Sequence, residues 1–143
     1  MAISAATAAP HGLACLMTTA AGSSPSVCTN RHAASQPVAQ RTLSSQLGLS
    51  NFSAETFPWC RARYDVFEQF DDIVLSGEVG IAKPHPAIYR LVCERSGIEP
   101  SEAVFLDDSP TNVAGAHAVG MPAFLFTDVD RARADLRSVG LAV

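Results

Sequence analysis

No aspartate or glutamate occurs in the first 54 of the 143 residues; the first acid is Glu55. That excludes carboxylate chemistry from the N-terminal segment, whether as metal ligand, general base or nucleophile. The segment carries only Arg31 and Arg41, a charge of +2, while residues 55–143 carry −6, giving the net −4 of the chain. A net acidic body with scattered basic residues argues against nucleic acid as a partner. The four cysteines, Cys15, Cys28, Cys60 and Cys93, form no CxxC pair and no zinc-like cluster with histidine. Reduced, buried thiols are expected at Cys60 and Cys93, as in a cytoplasmic protein. No apolar run reaches the roughly 20 residues of a membrane span. The short stretch Gly12–Met17 has no preceding Lys or Arg and makes a poor signal peptide. The Ala/Ser/Thr-rich start has the composition of an organelle transit peptide, with two arginines as thin support.

Composition breaks near residue 46. Ala, Ser and Thr fill 23 of the first 46 positions and no helical or strand period persists. Residues 1–46 therefore read as a low-complexity, disordered or non-homologous segment, with Leu13–Met17 its only candidate element. Such a join is what an unrelated or out-of-frame coding segment would produce. From Leu47 the text is ordered. Strands are expected at 47–49, 73–75, 103–106 and 123–126. Helices are expected at 54–70 (with a break near Tyr64), 86–96, from Pro110 to before Gly120, and 130–139. Strands alternating with helices imply an α/β fold with a parallel, doubly wound sheet over residues 47–143, and ligands at the carboxyl ends of its strands.

Three polar groups land at those ends. Val104-Phe105-Leu106 runs into Asp107-Asp108, then into a helix start at Ser109-Pro110. Two adjacent carboxylates repel each other; a helix N-terminus relieves part of that, and a divalent cation more. Such hard oxygen donors suit Mg²⁺, with waters and a phosphate completing the shell. Capping alone needs only a single Ser or Asp. Lys83 sits in Gly80-Ile81-Ala82-Lys83-Pro84-His85-Pro86, where the prolines fix the backbone; a held ammonium there can neutralise a phosphoryl group. Ser50 and Asn51 offer a hydroxyl, an amide and backbone N–H groups to phosphate oxygens, although Ser-Asn is also ordinary turn chemistry. His85 and His117 read as packing or capping residues, and Trp59 as a core residue or one packed against a missing neighbour.

Leu49-Ser50-Asn51, Gly80-Ile81-Ala82-Lys83-Pro84 and Phe105-Leu106-Asp107-Asp108-Ser109, with Asn112, Gly115, Ala116 and Gly120, resemble motifs II, III and IV of the haloacid dehalogenase (HAD) superfamily. The likeness is to its small capped phosphatases and dehalogenases. The resemblance implies an incomplete HAD-like, Rossmannoid core over 47–143. It implies phosphoryl binding by Ser50 with help from Asn51, and a stabilising role for Lys83. It also implies a Mg²⁺ site at Asp107 and Asp108, with Asp108 the direct ligand. The implied substrate is a small phosphorylated or, in the dehalogenase alternative, halogenated metabolite. A third alternative is a non-catalytic Mg²⁺/phosphate-binding or interaction module.

The family's nucleophile is an aspartate of motif I, an apolar strand followed by Asp-x-Asp. These 143 residues hold no such motif before motif II, and no counterpart of the cap. The chain is therefore expected to be inactive alone. The motif I strand is central in the family, so without it two strand edges face a gap. A marginal fold or self-association through those edges is expected unless residues 13–19 or another chain fills the slot. Filling it with residues 13–19 is expected to put Thr18 and Thr19 where carboxylates belong.

Overall fold

A computed structural model describes residues 13–19, 43–141 and 143, with strand placement alone for 13–19 and 43–44. The disorder expected over 1–46 otherwise lies outside the described residues. Five strands form one sheet: β1 (Leu13–Thr19), β2 (Leu43–Ser50), β3 (Asp72–Leu75), β4 (Ala103–Asp107) and β5 (Ala123–Leu125), in the order β3-β2-β1-β4-β5. Between and after them lie α1 (Phe57–Arg63), α2 (Ser76–Val79), α3 (Pro86–Ser96), α4 (Pro110–His117) and α5 (Val129–Ser138).

The expected α/β architecture is present, and β2 to β5 all run the same way. The exception is the centre. β1 fills the slot between β2 and β4, and it runs antiparallel to both. Its partners are Leu13↔Ser50 through Thr19↔Leu43 on one side and Cys15↔Leu106 through Thr18↔Ala103 on the other. The edges of β2 and β4 that were to face a gap are paired by residues 13–19, the case in which the slot is filled from within the chain. Thr18 and Thr19 lie at the amino ends of β2 and β4, far from the carboxyl edge, because the strand direction is reversed. β2 also begins at Leu43, crossing the composition break.

Period-2 alternation gives the sheet two apolar faces. On β4, Ala103 and Phe105 pack with Leu47, Leu49 and Val74 under α3 and α4, against Ile88, Tyr89, Val92 and Ala116. Val104 and Leu106 turn the other way, onto Ala132 and Leu136 of α5 and Leu141. Beside β3, Leu75 joins Phe57, Val66 and Phe67 in a separate cluster, with the Phe57 and Phe67 rings edge-on at 5.0 Å.

The helix expected over 54–70 is broken at Tyr64, which is extended (φ −130°); a 3-10 turn over Asp65–Gln69 follows. α3 has the ends that its sequence announces. His85 Nδ1 accepts from Ala87 N–H, Pro86 opens the helix, and Gly97 closes it at φ +66°, where a side chain would be strained. α2 is a single turn where no element is expected from sequence; Ser76-Gly77-Glu78-Val79 is too short to show a period. Cys93 is buried and Cys60 half-buried, both as free thiols. Trp59, expected in the core or against a missing neighbour, is not in the core: it is 81% exposed.

Candidate active site at the carboxyl edge of the sheet

β4 ends on Asp107, which is buried with its side chain 2% exposed, and the chain turns at once into α4. Lys83 comes from the loop between α2 and α3, where the Lys83–Pro84 peptide is cis. Its ammonium, 1% exposed, donates to Asp107 Oδ2 at 2.8 Å and to the Leu49 carbonyl of β2 at 2.9 Å. β2 and β4 are not neighbours: β1 lies between them, a span of about 9–10 Å at ordinary strand spacing. Lys83 therefore bridges the two family-like strands over the strand that separates them. It also lies 5.8 Å from the centre of the Phe105 ring, within cation–π range.

Burial pulls the Lys83 ammonium below the usual lysine value; the hydrogen bond and charge of Asp107, and the charge of Asp108, oppose that in part. The other Asp107 oxygen, Oδ1, accepts from Ser109 N–H at 2.8 Å and from Asn112 Nδ2 at 3.0 Å. Asn112 is held in turn, its carbonyl accepting from Tyr89 O–H at 2.8 Å. Tyr89 stands edge-on to Phe105 at 5.4 Å, and burial together with the Asp107 charge raises its hydroxyl above the ordinary phenol value, which keeps it a donor. Gly115 of α4 makes the close approach possible: a Cβ there would lie 2.6 Å from the Pro84 carbonyl oxygen.

Every site residue expected from sequence lies at this edge. Ser50 is fully buried at the end of β2. Asn51 follows it, and both ends of its amide are engaged with the Lys83 main chain: Oδ1 accepts from Lys83 N–H at 2.8 Å, and Nδ2 donates to the Lys83 carbonyl at 3.1 Å. Asp108 is exposed, and no described residue hydrogen-bonds its carboxylate. The sequence reading matched Asn112 and Gly115 to the family without giving them work, and it missed Tyr89 and the Leu49 carbonyl. The cue at Gly115 was a glycine inside a helix, which marks close backbone packing.

The donor set fits a hard divalent cation held loosely. Asp107 Oδ1 is filled by two donors and Oδ2 keeps one lone pair beyond Lys83, while Asp108 is open to solvent. No group of three metal-ligating side chains exists among the described residues. Such a site leaves most of the shell to water and a phosphate, the usual habit of Mg²⁺. No helix among the described residues is long and apolar enough to cross a membrane.

Known proteins are similar to this chain. The pig bifunctional epoxide hydrolase 2 is 41% identical over 70 residues, covering 49% of this chain and 13% of that protein. A Mycobacterium tuberculosis phosphatase is 38% identical over 80 residues, covering 55% and 34%. A crystal structure of a HAD-family enzyme from Bacteroides thetaiotaomicron, in complex with magnesium and inorganic phosphate, superposes with a TM-score of 0.51 at 32% identity, over 55% of this chain and 43% of that one. The chain thus spans well under half the length of these relatives. With the model of the haloacid dehalogenase-like hydrolases matching residues 20–120, the chain belongs to that hydrolase family.

Proposed function

We propose that this chain is a HAD-family unit of the phosphatase type that binds the phosphate of a small ester together with Mg²⁺, and that does not turn it over by itself. One observation carries the reading. The positioned charges are all assembled at the carboxyl edge of β2 and β4, yet the strand between them, Leu13–Thr19, contains no carboxylate and runs the wrong way to present one. Lys83 would face the phosphoryl charge, and the N–H groups after Ser50 would add donors. Asp108, with Asp107 beside it, would hold Mg²⁺, which supplies charge neutralisation to the bound phosphate. Phosphatase chemistry of this family forms a covalent bond to an aspartate, and these 143 residues offer none at that place. The acidic pair and the phosphatase relative favour a phosphate ester over a halogenated acid.

The test is calorimetric titration with inorganic phosphate, with and without Mg²⁺, beside a turnover assay on a generic aryl phosphate. Binding that needs Mg²⁺ and weakens at least about tenfold in Asp108→Asn is expected, tenfold being the loss of about 1.4 kcal/mol of interaction. Turnover that Asp108→Ala abolishes, in a preparation free of other phosphatases, would show the unit to be catalytic. Absence of phosphate binding would remove the site reading altogether.

A further inference from the structure

Asn51 stands next to the fully buried Ser50, where a phosphate-binding role is the natural expectation. Its own side chain is exposed overall, yet both ends of its amide are bonded, and both bonds go to one residue 32 positions away. The pattern is that of a peptide group pairing with a strand: the amide oxygen takes the Lys83 N–H and the amide nitrogen gives to the Lys83 carbonyl. The loop that carries Lys83 has no strand partner among the described residues, and the turn from Ala82 to His85 is its own internal bond. We infer that Asn51 is a positioning residue: it docks the Lys83 backbone onto the end of β2, so that the ammonium reaches over β1 to Leu49 and Asp107 rather than swinging into water.

Three features make this more than a local tether. Asn51 and Leu49 lie on the same strand end and hold the two ends of one residue, main chain and ammonium. The opposite side of the loop is pressed against α4 at Gly115, so the loop is held between β2 and α4. And Lys83 is the only lysine of the chain, so the site has no substitute side-chain ammonium. An amide is the side chain that fits, since a carboxylate would accept from Lys83 N–H but have nothing to donate to its carbonyl.

The single lysine makes the test direct. The full chain is treated with an amine-acetylating ester, and Lys83 acetylation is followed by peptide mass spectrometry. Reaction of the buried Cys93 thiol with an aromatic disulfide serves as the reporter of general opening. In Asn51→Ala, Lys83 acetylation is expected to accelerate about ten- to thirty-fold, the equivalent of two ordinary hydrogen bonds, while Cys93 reacts as in the parent. Asn51→Asp, which keeps one of the two bonds, should fall between. Unchanged Lys83 acetylation, or equal acceleration at Lys83 and Cys93, would overturn the inference, the latter because it would make Asn51 a general stabiliser. If neither variant folds, the parent protein decides: the Lys83 amide hydrogen should exchange far more slowly than that of exposed Ala82, and equal rates would overturn it. The inference rests on Lys83 being the cation of the site. Failure of that reading would appear as no phosphate binding by the parent, leaving the acetylation result intact.

Discussion

At the scale of single residues, the site is governed by a buried ion pair whose partners cannot be separated cheaply. Asp107→Ala leaves the Lys83 ammonium buried without its carboxylate partner, and such a break costs on the order of 3–5 kcal/mol. The folded-state value of Lys83 already lies below that of the unfolded chain. The penalty for burying the charge is therefore complete at low pH and fades as pH rises through the folded value towards the ordinary 10.5. The stability gap between parent and Asp107→Ala in urea should thus be widest near neutrality and narrow towards pH 10.5. The double variant Lys83→Met/Asp107→Leu should lose less than either single change, because nothing charged is left stranded. Cys93 gives the opposite pH signature. Burial pushes its thiol from 9.0 to about 11, with the charges of Glu99, Glu102 and Glu94 adding to it. Its contribution is complete below pH 9 and is lost as pH climbs to 11, about 2–3 kcal/mol at most. A melting temperature that falls across that window in the parent, and falls less in Cys93→Val, is the expected result.

At the scale of elements, the contact between α4 and the Lys-Pro loop leaves no room for a side chain at Gly115. Gly115→Ala would drive a methyl to 2.6 Å from Pro84 O and 3.0 Å from a Tyr89 ring carbon, neither of which is a loose end. We expect a loss of about 1–3 kcal/mol, measurable by chemical denaturation, together with weaker phosphate binding as the loop shifts. Trp59 lies on the free side of α1, and Trp59→Ala should change stability by less than about 0.5 kcal/mol. Elements with local signals were readable in advance. Pro86 and Gly97 bracketed α3, and the run Ala103–Leu106 with its acidic end gave β4 and the site together. The hold of Asn51 on Lys83 was not readable, because residues 32 apart meet only through the fold.

At the scale of the whole molecule, β1 decides whether the sheet is one body. Leu16 pairs with Leu47 on one side and Phe105 on the other. A proline there removes a ladder donor from a central strand. Leu16→Pro should abolish the cooperative unfolding transition seen by circular dichroism, although it lies in the segment with the least sequence character. Leu13–Thr19 was visible as a candidate strand, and its direction was not. Nothing in Leu-Ala-Cys-Leu-Met-Thr-Thr encodes polarity, which is set by the neighbours it meets and by the 23 residues between Thr19 and Leu43 that let it return alongside β2.

The pairing of Leu13 with Ser50 also fixes which end of β1 lies at the site. Leu13 lies at the edge of the sheet that carries the site, while Thr19, opposite Leu43, lies at the other edge. A spin label or fluorophore attached at position 13 would therefore sense phosphate or a paramagnetic Mn²⁺ in the site. The same probe placed at position 19 would be separated from it by the full height of the sheet.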